Sequence, residues 1–557
     1  MVVMNMKKIC DFIPAIVIAF AFSFMFFIYE PVVMYLNNIS DFWFDIYMLL
    51  SNSFVAFIAL LLFILVSYLV VYFLQKKLFH KHKNIYNIIL LIGFCLFLVT
   101  YIQGNYLSGS LPALDGKSIE WSDYKAQSIV SFILLIVTIG ALIFSTIKFS
   151  FQKTIRWSRN ITLAICMMLI VSLFSTCMTS KSGFTRKMYT TTATTKNISQ
   201  YSSKKNLIIL LLDSIDSETM ENVVKSDDKY VDVFEDFTYY PDTVGAYPFT
   251  RDTVPLVLSG NWSENKKDFA SFYNEAMDNS KLLDNLREKN YNINIYNDDI
   301  SYNTEKARDI KNFSFDNKSN LLSFLKQEIK YDLFRYLPFY LKKYSRIESM
   351  NFIVTREMSS DELFLWDDVT FYDDYVERQI QISNDNEFKY IHLEGAHYPF
   401  DCDKHFKKKE NGTYEDKIEA SIRLIDKYLK YLKDNKFYDN SAIVILADHG
   451  FWWDTDDDSL LKRQNPILYI KGFNEKHKRN VSDEKVSFDN LQDIYKELLD
   501  GKKTDKLFDN IDTSNPRRFL LYRVFGYDHM EEYLQYGHSK DLKTLKKTGN
   551  IYDLEEK

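Results

Sequence analysis

A chain of 557 residues is long enough for more than one domain, and a formal net charge of -6 lacks the basic excess that nucleic-acid binding needs. Hydrophobic residues make up 47% of it. They crowd before position 180, and charge crowds after 200, so the two parts are built for different solvents. Of the five cysteines only Cys402 lies well inside the charged part, which excludes an intradomain disulfide framework there.

The N-terminal part reads as five membrane spans, at 12–29, 54–73, 86–102, 129–147 and 161–178. Each is near the roughly 20 apolar residues that a bilayer core requires. Lys7 and Lys8 ahead of the first could suggest a signal peptide, but four further spans make a multi-pass anchor over 1–178 the better reading. Lys76, Lys77, Lys81 and Lys83 follow the second span, and Lys148, Lys153, Arg156 and Arg159 follow the fourth. The loop after the first has no Lys or Arg, and that after the third has only Lys117 and Lys125, beside Asp115, Glu120 and Asp123. The positive-inside rule therefore predicts a cytoplasmic N-terminus and everything after Met178 outside. Phe42, Trp43, Phe44 and Trp121 read as interfacial anchors or as ordinary loop aromatics.

A juxtamembrane linker is expected over 179–203, rich in Thr, Ser and Lys around 190–195. From 204 to 557, short apolar runs alternate with helical patterns, which predicts an α/β domain with a mostly parallel sheet. Its first strand, 207–212, ends in Asp213. In open α/β sheets chemistry gathers beyond the carboxyl ends of strands, so Asp213 reads as a metal ligand, with capping of the next helix as the alternative. The run 245–260, GAYPFTRDTVPLVLSG, predicts a helix with Pro255 in its first turn. Thr250 and Thr253 precede it, where free backbone N–H groups suit an anionic phosphate. Thr253 suits an N-cap, which leaves Thr250 as the free hydroxyl. In 390–400, YIHLEGAHYPF, His392 and His397 bracket a Gly turn and could bind metal, phosphate or a leaving oxygen. His392 within the strand can equally be structural, and His397 in the turn is the better functional candidate.

Thr413 and Asp416 form an expected capping pair, and Ile418, Ile422, Ile425, Leu429 and Leu432 recur at helical spacing. That amphipathic helix leads into 441–450, SAIVILADHG, an unbroken apolar strand ending in Asp448-His449-Gly450. A carboxylate and an imidazole on a rigid strand tip suit a borderline cation such as Zn²⁺ or Mn²⁺. A further strand is expected at 466–470, and a helix at 488–499 stopped by Gly501. The polar and aromatic tail after Arg517 carries no assignable pattern.

Taken in order, Asp213 after an apolar strand, a Thr five residues before a Pro, a His-x-x-x-x-His turn and a strand ending Asp-His-Gly resemble the sulfatase-like branch of the alkaline phosphatase superfamily. With five spans ahead of that domain, the chain is similar to the membrane-bound phosphoethanolamine transferases and lipoteichoic acid synthases. The resemblance implies an α/β/α sandwich. It implies that Asp213, Thr250, Asp448 and His449 bind one catalytic Zn²⁺ or Mn²⁺, with Thr250 as nucleophile. His392 and His397 would match the pair that contacts the phosphate or an accessory second metal. Three departures stand out. Ser214 and Ile215 replace the residues common after the first ligand. The family's disulfides are absent. A His usual about a dozen residues past Asp-His-Gly is missing, and Arg463 could fill that anionic subsite. No Cys lies near Thr250, and the Pro and Arg spacing of classical sulfatases is lacking. The implied activity is transfer of phosphoethanolamine or glycerol phosphate from a phospholipid donor to a surface glycan or lipid, lipopolysaccharide-like in one case. The alternative is a phosphatase- or sulfatase-type hydrolase of the same superfamily.

Overall fold

The computed structural model describes residues 6–39, 42–77, 84–111, 119–180, 182–185, 191–298, 300–315, 318–345, 352, 355, 362–452, 456–523 and 529–553. Lys81, Lys83, Asp115, Lys117 and Thr190 lie outside them. The chain forms two compact units, one of Met1–Tyr189 with Asn317–Glu357 and the other of Thr190–Asp316 with Met358–Lys557.

The first unit holds five helices long and apolar enough to cross a membrane: Phe12–Asn37, Ile46–Lys77, Ile85–Leu107, Trp121–Lys148 and Phe151–Thr179. Much of their surface is exposed apolar side chain, such as Phe63, Val137 and Val171, which suits a hydrocarbon solvent and not water. The segment 317–357 packs with these helices. Its helix Leu321–Tyr336 places Phe324 in an aromatic cluster with Phe42, Phe44 and Phe352. Trp43 is buried there too, with its indole N–H donating to the Phe352 carbonyl at 2.7 Å. Phe42, Trp43 and Phe44, read from the sequence as interfacial anchors or ordinary loop aromatics, are core residues, because a distant segment of the chain covers them.

Glu328, on the same helix, is buried and accepts a 2.6 Å hydrogen bond from the Ser53 hydroxyl. Burial raises its carboxyl from 4.5 to about 8, and the Ser53 hydrogen bond only partly offsets this. A carboxyl raised in the folded state keeps its proton there. The associated stability is fully present below the unfolded value and is lost as pH rises from there towards 8. Glu328→Gln removes that titration. The variant should therefore gain on the wild type by several kcal/mol at most, on the order of 4, between pH 5 and pH 8. Melting curves of the purified protein across that range check it, and parallel pH profiles would contradict it.

In the second unit, β-branched and leucine-rich runs make strands buried along their whole length. The labelled elements, in chain order, are β1 Asn206–Leu212, α1 Ser217–Ser226, β2 Thr238–Tyr239, α2 Thr250–Ser259, α3 Lys281–Glu288, β3 Tyr291–Tyr296 and β4 Asn386–Leu393. They continue with α4 Tyr414–Asp434, β5 Ser441–Leu446, β6 Leu468–Lys471, β7 Asn480–Val481 and α5 Leu491–Leu499. One seven-stranded sheet runs β7-β2-β6-β5-β1-β4-β3. The pairs β5–β1, β1–β4 and β4–β3 are parallel, and β6 runs antiparallel to β5 and β2. Helix α1 packs on α4, while α2, α3 and α5 pack on one another, so the unit is an α/β sandwich. Register puts Leu211 opposite both Leu446 and His392, so the carboxyl ends of β1, β4 and β5 finish side by side.

Helix α4 starts with the expected capping box between Thr413 and Asp416, and it buries Ile418, Ile422, Ile425, Leu429 and Leu432. Three stretches differ from expectation. Thr192–Ala193 pairs with Phe313–Ser314, and Gln200–Ser202 pairs with Gln381–Ser383, so the second half of the expected linker is part of this unit. Its β-branched threonines suit those strands. Asn317–Glu357, from the middle of the expected catalytic stretch, belongs to the other unit. The tail forms an antiparallel sheet of Arg517–Leu521, His529–Gln535 and Leu545–Asp553. It is tied down by the Leu520 N–H donating to the Ala246 carbonyl at 2.8 Å, four residues before Thr250.

Candidate metal and phosphate site

The parallel core of the sheet carries one acidic residue past β1, Asp213, and the pair Asp448-His449 past β5. Ligand atoms of these three buried residues lie within 4.8 Å of one another. The turn after β1 is pinned by Ser214, which adopts a left-handed φ of 59°. Its N–H donates to Asp448 Oδ1 at 3.0 Å, and its hydroxyl donates to Asp213 Oδ1 at 2.6 Å. The Tyr414 hydroxyl, at the start of α4, donates to the Ser214 carbonyl at 2.8 Å. Ser214 is thus a fastening between the two carboxylates.

His449 donates from Nδ1 to the Gly450 carbonyl at 2.7 Å. That fixes the tautomer and turns the Nε2 lone pair towards Asp448 Oδ2 at 3.3 Å and Asp213 Oδ1 at 3.8 Å. Asp448 Oδ2 is buried without a hydrogen-bond partner. Burial and the neighbouring Asp448 raise the Asp213 carboxyl well above the carboxylate range, and burial lowers the His449 imidazole. Two carboxylates and an imidazole lone pair facing one another in a dry pocket repel unless a cation sits between them. The donor set therefore fits a divalent metal of the borderline or hard class.

Thr250 is the first residue of α2, and its hydroxyl donates to Asp213 Oδ2 at 3.1 Å. The helix begins earlier than the sequence predicts, with Phe249 at the N-cap and Pro255 inside. Thr253 is accordingly not the cap. It is fully buried, and its hydroxyl donates back to the Phe249 carbonyl at 2.9 Å. Pro255 is the sixth residue of the helix and supplies no backbone N–H to it.

His392, in the last turn of β4, points into the same centre. Its Nε2 lies 3.9 Å from Asp213 Oδ2 and has no hydrogen-bond partner, while Nδ1 contacts Asn297 Oδ1 at 2.8 Å. Burial pushes the imidazole down to about 4, so it is neutral at physiological pH. His397 stands after the turn, and its ring lies 5.3 Å from that of Trp366, which also meets His392 at 5.6 Å. The turn needs Gly395: its φ is +59°, and a Cβ there would sit 2.7 Å from the Asp213 backbone. Buried Asp368 holds the turn by accepting from the N–H groups of Glu394 and Gly395 at 2.8 and 3.0 Å.

Arg463 is nearly buried between Phe249 and Phe451 and donates to the carbonyls of Pro248 and Trp452. Its Nε has no hydrogen-bond partner. The charge of Arg463 is felt by His449 and by both carboxylates. The structure thus gathers Asp213, Thr250, Asp448, His449 and His392 within direct reach, with His397 and Arg463 around them. Sequence reasoning missed Asn297, Trp366, Asp368 and Tyr414. Asn297 alone had a signal, since it follows the apolar run of β3 at its carboxyl end.

No family model and no curated protein sequence matches the chain. Solved structures do. A protein in the alkaline phosphatase superfamily from Vibrio parahaemolyticus is 11% identical, with 66% of this chain and 85% of that one covered and a TM-score of 0.33. A 2-O GAG sulfatase is 11% identical over 63% and 85%, with a TM-score of 0.38. The C-terminal periplasmic domain of EcEptC from Escherichia coli is 14% identical over 57% and 89%, with a TM-score of 0.30.

Proposed function

We propose that this protein is a membrane-anchored, metal-dependent phosphotransferase. It moves a phosphate-linked head group from a phospholipid to a hydroxyl on a surface glycan or lipid, through a covalent intermediate on Thr250. The observation that carries the reading is the Thr250 hydroxyl at a helix start, 3.1 Å from Asp213 Oδ2 and beside the Asp213, Asp448 and His449 group. A bound Zn²⁺ or Mn²⁺ would supply positive charge that favours the threonine alkoxide and offsets charge on the phosphoryl oxygens. Asp213 Oδ2 accepts the Thr250 proton. Thr250 Oγ1 bonds to phosphorus as the bond from phosphorus to the glycerol oxygen breaks, and diacylglycerol leaves with a proton from solvent. The acceptor hydroxyl then reverses the step: its oxygen bonds to phosphorus and its proton passes to solvent, while Thr250 leaves with the proton held on Asp213. His397 and Arg463 bind the phosphoryl oxygens, and His392 offers its Nε2 lone pair to a cation. Five spans on the same chain raise the local concentration of a lipid donor. The loop charges support a cytoplasmic N-terminus and a catalytic domain outside.

Mass spectrometry of surface glycans and lipids from cells with and without the protein tests the reading. We expect a phosphate-linked head group on an acceptor, with diacylglycerol as co-product, only when the protein is present. Release of the head group to water with no modified acceptor would favour a hydrolase instead.

A further inference from the structure

Trp366 lies in a short extended stretch fixed at both ends. On one side Phe364 is buried and its N–H donates to the Ala193 carbonyl at 3.0 Å. On the other, Asp367 caps the helix Asp368–Asp373 by accepting from the N–H groups of Val369 and Thr370. Asp368 in turn holds the Gly395 turn. The indole ring is therefore set by the same backbone that sets the histidines. It packs edgewise on His397 and tilted on His392, with centroids 5.3 and 5.6 Å away.

Its Nε1–H is buried and has no acceptor among the described residues. An indole nitrogen can only donate, so neither imidazole carbon edge nor any cation satisfies it. Tryptophan is buried in proteins with its N–H paired as a rule, and an orphan needs an explanation. Here the orphan stands beside two histidines, one of which reaches to 3.9 Å from Asp213 of the candidate metal centre. A donor awaiting an acceptor there is complemented by an oxygen-rich anion.

We propose that Trp366 is a substrate-positioning residue whose indole N–H donates a hydrogen bond to a non-bridging oxygen of a tetrahedral oxyanion ester held at the site. This rests on the phosphotransferase reading above for the identity of that ester, but not for the presence of an oxyanion. The bond forms to an oxygen present in the ground state as well as in the transition state. Its loss therefore raises KM and weakens product anions more than it lowers kcat.

The test uses the full-length, metal-loaded protein, inorganic phosphate and inorganic sulfate as probes, and donor-lipid kinetics. Trp366→Phe keeps an aromatic ring against the histidines and removes the N–H. We expect phosphate binding to weaken about tenfold, equivalent to about 1.4 kcal/mol, with KM for the donor rising similarly and metal content and melting unchanged. Stronger loss for sulfate than for phosphate would assign the site to sulfate esters. Wild-type affinity for both anions in Trp366→Phe would overturn the proposal, as would a fall in kcat alone. If the Phe variant does not fold, replacement of Trp366 by its benzothiophene analogue keeps the bicyclic outline and lacks only the N–H, and the same outcomes apply. Weakened anion binding in a protein that transfers no head group would leave Trp366 in its role and refute the phosphotransferase reading alone.

Discussion

Thr250→Ala is expected to abolish head-group transfer, a fall of about ten-thousand-fold or more, while the protein melts close to the wild type. The side chain sits at the first position of α2, where it caps nothing, since the N-cap is Phe249. Its hydroxyl donates to Asp213 Oδ2. Removing it takes away the attacking oxygen and a hydrogen bond worth roughly 1 kcal/mol. Thr250→Ser retains a hydroxyl and should keep measurable turnover. Thr253→Ala is the contrasting variant. Thr253 is buried, and its hydroxyl returns to the Phe249 carbonyl inside the same helix. Its loss should lower stability by about 1 kcal/mol and leave the reaction in place. Steady-state kinetics and melting curves of the three variants check this. A Thr250→Ala enzyme with wild-type turnover would remove the residue from the reaction.

The second large effect is expected at the metal ligands. Asp448→Asn and His449→Ala should each lower bound divalent metal and stop turnover, with the sheet still folded. Asp448 Oδ2 is buried, and His449 Nε2 faces it at 3.3 Å. Both atoms offer lone pairs into one space, which a divalent cation would share. Asp448→Asn also replaces an acceptor with a donor at one oxygen, which weakens the fastening of the Ser214 N–H to Oδ1 at 3.0 Å. Elemental analysis of purified variants against the wild type reads the result directly. Full metal content in both variants would show that the cation, if any, binds elsewhere.

The strand tips were legible because each combines two local signals. Apolar β-branched runs demand a buried strand, and a polar residue following them must sit at its end, as at Asp213 and Asp448. Adjacency of those tips follows from a parallel sheet. Features that depend on partners far along the chain were not legible. Trp43 looks like a membrane-surface aromatic until Phe352, more than three hundred residues later, covers it. Trp366 and Asp368 carry no motif of their own, and their roles come from contacts with the His392–His397 turn. Thr253 reads as a cap because Pro255 suggests a helix start, yet α2 gains its first turn from Thr250 onward. The segment 317–357 has the same polar and aromatic texture as its flanks, so its membership in the membrane unit is set by packing and not by composition.

The central claim is that a phosphate ester becomes covalently attached to Thr250. Incubating the metal-loaded, full-length protein with donor phospholipid and no acceptor, followed by peptide mass spectrometry, measures it most directly. The account predicts a phosphate-linked head-group adduct on Thr250 that disappears when an acceptor hydroxyl is added and never forms in Thr250→Ala. An adduct on Thr253, or transfer to acceptor in a protein that never carries an adduct, would contradict it.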